Sequence, residues 1–154
     1  MALDPHLLAA FDFVCKVDMA YAGLVQSADL DPVPGQEPTL GGKLLYVGEL
    51  DPAGRALAVA GNIAGVASLC ASADPAIQKQ AVRDGVVDFL VTSLDEALRI
   101  LKNEIRKREP VAVCVALDPL VIEREMLQRG VSPDLLRSAA ASVHSAGSRP
   151  RIES

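Results

Sequence analysis

Tryptophan is absent from these 154 residues, and Phe and Tyr together supply only 3% of them. There is no basic excess either: 15 Lys and Arg face 20 Asp and Glu, a formal charge of −5. Nucleic-acid binding asks for a basic face and, for single strands, stacking rings, so both shortages argue against it. Arg99, Lys102, Arg106 and Lys107 do cluster, but Asp95, Glu96, Glu104 and Glu109 are interspersed, and the stretch reads as a solvated helix face.

Cysteine is equally scarce. Cys15, Cys70 and Cys114 are odd in number, far apart and set among Ala, Val and Leu. That spacing suits neither a disulfide framework nor a zinc site, and no metal centre is expected. Buried, reduced thiols and a cytoplasmic protein are the expectation. The opening "MALDPHLLAAFDF" has no basic region and carries Asp4 and Asp12, unlike a signal peptide. The longest apolar stretch, Ala56 to Ala71, is broken by Asn62 and by glycines and falls short of a bilayer span. No membrane segment is expected.

What remains is rich in Ala, Leu and Val, with half of all residues hydrophobic. That suits one domain with helices packed closely on a sheet. Asp4-Pro5 places a capping side chain before a proline, and Leu7, Leu8, Phe11, Val14, Cys15, Met19 and Ala22 recur at helical spacing. Residues 1–26 therefore read as an amphipathic helix, ending near Gly23 to Val25. Residues 27–41, with prolines at 32, 34 and 38, read as a linker across the surface.

From residue 42 to 138 strands and helices alternate. Leu44 to Val47 is a strand, Pro52 to about Gly65 a helix, and Val66 to Ala71 a second strand. "DPAIQKQAVRDG" is a helix capped by Asp74, and "VVDFLV" a third strand. Ser93 caps "LDEALRILKNEIRKRE", whose apolar face is Leu94, Ala97, Leu98, Leu101 and Ile105. "VAVCVAL" is a fourth strand, buried on both faces because it does not alternate. Asp118-Pro119 opens a helix with Ile122, Met126 and Leu127 facing in, and Asp134 to Leu136 is a short fifth strand. Residues 139–154 read as a loose tail. The pattern predicts an α/β, three-layer sandwich around a mostly parallel sheet of about five strands, plus the N-terminal helix. Its functional loops belong at the C-terminal strand ends.

From "GGKLLYVG" through "AGNIAG", "LCASADPAI" and "VVDFLVTSLDEALRIL" to "LQRGVSPDLL", residues 42 to about 136, the chain resembles the central dinucleotide-binding, Rossmann-like domain of urocanase (urocanate hydratase). The order and spacing of these segments carry the likeness, with about one residue fewer at the first turn. The resemblance implies a fold that holds NAD tightly and uses it as an electrophile to add water to urocanate. It also implies that most substrate-binding residues lie outside the central domain. A stand-alone, divergent homologue without hydratase activity of its own is therefore expected.

The cofactor loops depart from the family's pattern. Where the family has a Gly-rich first turn with Ser, Ala and Gln, this chain has "GELDPAGRA". Asp51 caps the helix amides a phosphate would need, Pro52 removes another donor, and Glu49 adds charge. Two carboxylates that close to a pyrophosphate cost on the order of several kcal/mol, offset in part by Arg55. Ser72 stands where dinucleotide folds place the ribose-binding acid, and Asp118-Pro119 replaces a Gly-Asn turn. "SAAASVHSAG" keeps only His144 of a later loop. No bound cofactor is predicted, and NAD only if the divergent first turn still accepts it.

Other features have plain structural readings. Gly61 and Gly65 let a helix lie close to the sheet, with Asn62 as a surface or backbone-bonded amide. Asp118 is a cap, Cys114 an inert core thiol, Arg83 and Asp84 a helix end, and His6 and His144 free surface histidines. No acid, base and nucleophile converge, so no catalytic residue is assigned. The first expectation is a non-catalytic domain used in assembly or protein binding, a homodimer through Leu8, Phe11, Cys15 and Met19. The alternatives are a small-ligand or nucleotide binder with a crevice at Gly48, Gly54, Arg55, Ser72 and Thr92, and an enzyme subunit completed by a partner chain. A crevice filled by the chain's own side chains would remove the small-ligand reading.

Overall fold

The computed structural model describes residues 4–27 and 39–137. Most of the linker and the tail with His144 lie outside the described residues. Five helices and five strands follow in order: α1 (Pro5–Ser27), β1 (Leu44–Gly48), α2 (Pro52–Ala64), β2 (Ala67–Ala71), α3 (Pro75–Arg83), β3 (Phe89–Val91), α4 (Leu94–Lys107), β4 (Val111–Val115), α5 (Pro119–Arg129) and β5 (Leu135–Leu136).

Local chemistry sets the helix starts. Asp-Pro opens four of the five helices. The carboxylates of Asp51, Asp74 and Asp118 accept from the amides of Gly54, Ala76 and Leu120 at 2.8, 2.9 and 2.8 Å. Proline at the next position gives up an amide that had no helical partner in any case. α4 begins differently. Ser93 Oγ accepts from Glu96 N at 3.2 Å, while Glu96 Oε1 takes the Thr92 hydroxyl at 3.0 Å. Glu96 thus reaches back across the cap as in a capping box, but to Thr92 in place of the Ser93 amide.

All strand pairs are parallel, in the order β3-β4-β2-β1-β5. Right-handed crossovers then send α2 and α3 to one face and α4 and α5 to the other. Strand side chains alternate between two cores. Leu45, Val47, Cys70 and Cys114 pack with Leu57, Ala58 and Ala81 under α2 and α3. Leu44, Tyr46, Leu69, Val113 and Val115 pack with Leu98, Leu101, Ile122 and Met126 under α4 and α5.

α1 is less of an appendage than its linker suggests. Leu24 is wholly buried, and Val17, Ala20 and Tyr21 pack onto the α2 core. The opposite side stays bare: Leu7, Leu8, Phe11, Val14 and Met19 are 39–62% exposed. Cys15 is exposed as well, contrary to the expectation of three buried thiols, because it belongs to that outer stripe.

Two other expectations are corrected. Leu127 faces solvent, 82% exposed, because on α5 only Ile122 and Met126 point to the sheet. The third strand is only Phe89–Val91. The chain leaving α3 folds back, with the amides of Val86 and Val87 bonded to Ala81 O at 2.9 and 3.3 Å. It joins the sheet only when Asp88 N reaches Ala112 O at 2.8 Å.

Candidate functional site

The turn after β1 is built around α2's first amides. Asp51 Oδ1 accepts from Gly54 N at 2.8 Å and from Arg137 NH2 at 2.6 Å. The same guanidinium donates to Glu49 O at 3.2 Å, tying the turn to the end of β5. Glu49 itself is folded back, its Oε2 accepting from Leu50 N at 3.0 Å. Gly54 lies against this turn so closely that a Cβ there would stand 2.0 Å from Glu49 O. The positive end of the helix dipole is thus met by a carboxylate, which is met in turn by an arginine. Arg55 does not share in this. It pairs with Asp84 at 2.8 Å, and with Gln80 it holds the Asp84 carboxyl below its ordinary range, Gln80's hydrogen bond being the larger cause.

In an open parallel sheet a ligand crevice forms where neighbouring strands send their helices to opposite faces. Here that point lies between β2, followed by α3, and β4, followed by α5. Ser72 occupies it and is wholly buried. Its amide donates to Val115 O at 3.2 Å, its carbonyl accepts from Gln78 Nε2 at 2.7 Å, and its hydroxyl accepts from Asp74 N at 3.3 Å. Every polar group of Ser72 is used within the chain.

A cleft of about 460 Å³ lies at the ends of β1 and β5. Tyr46, Gly48, Glu49, Pro119, Glu123 and Arg137 are among its walls. Tyr46 OH donates to Glu123 Oε2 at 2.8 Å, with Pro119 O at 3.4 Å as a second acceptor. Burial, then the bond to Glu123, pushes the Tyr46 phenol well above its usual range. It therefore remains a neutral donor at working pH and no base. The nearby thiols are inert for a similar reason. Burial, then the charge of Glu49, pushes Cys114 up to about 12, and burial pushes Cys70 up with it.

Of the crevice residues expected from sequence, Gly48 lines this cleft and Gly54 supports its floor turn. Ser72 fills the neighbouring switch point, Arg55 is drawn to Asp84, and Thr92 belongs to the α4 cap. Tyr46, Glu123 and Arg137 were not anticipated. Tyr46, the hydroxyl-bearing ring in "LLYVG", was the available signal; Arg137 carried none, being 86 positions from Asp51. Among the described residues no group of His, Cys, Asp and Glu is placed to hold a metal ion. No described helix is long and apolar enough to cross a membrane.

A family model described as the urocanase Rossmann-like domain matches residues 31–149, well over half of the chain.

Proposed function

The chain belongs to the family of urocanase Rossmann-like domains, and from that premise we propose that it serves in assembly, as a homodimer through α1, without binding NAD. The observation that carries this reading is that α1 is apolar on two sides. Val17, Ala20, Tyr21 and Leu24 face α2, whereas Leu7, Leu8, Phe11, Val14, Cys15 and Met19 form a separate outer stripe. A helix apolar around most of its circumference is a helix with neighbours on both sides. Asp18, four residues from Val14 and seven from Phe11, lies within the stripe, while Asp12 at its edge is paired with Lys16. A second copy meets the stripe as an isologous pair with Asp18 left in contact with water, since burying that carboxylate unpaired would oppose association.

The dinucleotide site supports the same reading from the other end of the molecule. A pyrophosphate at α2 has to displace the Asp51–Arg137 pair and approach Glu49. A ribose at the end of β2 finds Ser72 buried, its hydroxyl already accepting from Asp74 N. The Tyr46–Glu123 cleft favours small-ligand binding as a second reading. Hydration of urocanate by these residues has no support, since the phenol and the buried thiols all hold their protons.

Light scattering on the full chain and on Phe11→Asp tests the assembly role. The wild type is expected to have twice the mass of the variant. Both should share one circular-dichroism spectrum, because Phe11 is 62% exposed within the protomer, and the variant should melt lower by the stabilisation that association gives the wild type. A monomeric wild type, or a Phe11→Asp variant of undiminished mass, refutes the interface.

A further inference from the structure

β3 (Phe89–Val91) ends the strand order, and among the described residues β4 is its only strand neighbour. Its outer edge therefore offers backbone N–H and C=O groups to an added strand. Val91 is buried toward α4, so Phe89, two positions away, points to the same face. Phe89 is 48% exposed and Leu90, on the other face, 41%. Alongside Phe89 runs a groove of about 550 Å³ lined also by Arg99, Ile100, Lys102, Asn103, Glu104 and Arg106 of α4.

The helix residues sit at spacings of three and four, which sets their cations in one row along the groove. Among the described residues Arg99, Lys102 and Arg106 take part in no ion pair. Of the neighbouring acids, Glu104 lines the groove itself and Asp95 lies in the field of Arg99 as well as that of Arg129. Asp95 is paired with Arg129, and Glu104 is held by Lys107 and Asn103 at 3.0 and 3.2 Å. Asp88 Oδ2 accepts from Ala112 N at 2.9 Å. On a chain of net charge −5, this is a place where three cations face one lining carboxylate, Glu104, beside apolar surface.

We propose that the β3 edge and the α4 cation row form a docking groove for an extended, acidic segment of another protein. The segment adds as a strand beside β3, points alternate carboxylates at Arg99, Lys102 and Arg106 on the α4 face and sets the intervening apolar side chains beside Leu90 on the other. A second copy of this chain does not fit. Antiparallel pairing of β3 with itself places both α4 helices on one face and brings two cationic rows together. The groove is separate from the α1 stripe, so this inference does not depend on the assembly role.

Fluorescence anisotropy tests it, with a short fluorescein-labelled peptide of alternating Glu and Val as probe. The full chain is expected to bind it saturably and to ignore the matching Lys-Val peptide. Affinity should weaken as salt is raised, since the contacts are exposed charges. Arg99→Glu combined with Arg106→Glu should weaken binding about tenfold or more at an unchanged melting temperature, both residues being exposed. Amide NMR shifts on titration should centre on residues 89–91. An absence of binding, a charge-reversed variant that binds equally well, or shifts centred elsewhere overturns the proposal. So does tighter binding of an oligothymidylate probe, which would make the groove a nucleic-acid site.

Discussion

Replacing Gly54 by alanine is expected to cost about 3 kcal/mol and to lower the melting temperature by roughly 6–12 °C. The added Cβ would stand 2.0 Å from Glu49 O, and what it meets is backbone. A flexible side chain could rotate away; a carbonyl at the end of a paired strand has to drag the turn with it. That turn is held by Asp51 on the helix side and by Arg137 from β5. Thermal denaturation followed by circular dichroism checks this. A loss under about 1 kcal/mol would mean that the turn yields freely and that its closure over α2 is not a fixed property of the fold.

The second large effect lies where α2 crosses the sheet. At Gly61 a Cβ would come within 2.9 Å of Ser68 Oγ, 2.9 Å of Val66 Cγ1 and 3.0 Å of Leu45 Cδ2. Gly61→Ala should cost about 1–3 kcal/mol, since all three neighbours are buried and close-packed. Ser68 is itself unusual, because its buried hydroxyl has no hydrogen-bond partner. Ser68→Ala removes an unsatisfied polar group and should raise stability by about 1 kcal/mol. In the double variant the alanine at 61 gains room, so the combined change should be less destabilising than the sum of the two singles. Additive behaviour in urea unfolding would show that Ser68 is not what Gly61 makes room for.

These two glycines illustrate what the sequence makes legible. Of the Gly61-x-x-x-Gly65 motif, Gly61 makes the expected close approach to the sheet, whereas Gly65 is the left-handed cap of α2, φ +93°, and faces Thr39. The Asp-Pro steps locate helix starts because a cap and its amide lie within three residues of each other. Strand and helix alternation gives the layered architecture for the same reason: each element's pattern is local. The strand order does not follow from local pattern, since β4 inserts between β3 and β2 only through crossovers of the whole chain.

The site was legible in part. Asp51 and Pro52 are visible as a blocked helix start. The residue that completes the blockage, Arg137, is brought in by β5 pairing with β1 from the far end of the fold. Ser72 is recognisable as a poor ribose ligand, yet its burial depends on Gln78 of α3 turning back to its carbonyl. α1 was misread in one respect. Its outer positions read as a face for a second copy and are exposed in the protomer, while the second face, which meets the α2 core through Val17, Ala20, Tyr21 and Leu24, was missed. Cys15 and Leu127 were expected inside for the same cause: periodicity gives the stripe without saying what covers it.

The measurement that bears most directly on the central claim is a calorimetric titration of the purified chain with NAD. The account predicts no heat beyond dilution, because Asp51, Arg137 and Ser72 already satisfy the groups a dinucleotide would need. Saturable heat at micromolar NAD would contradict it and would show that the "GELDPAGRA" turn opens to admit a pyrophosphate.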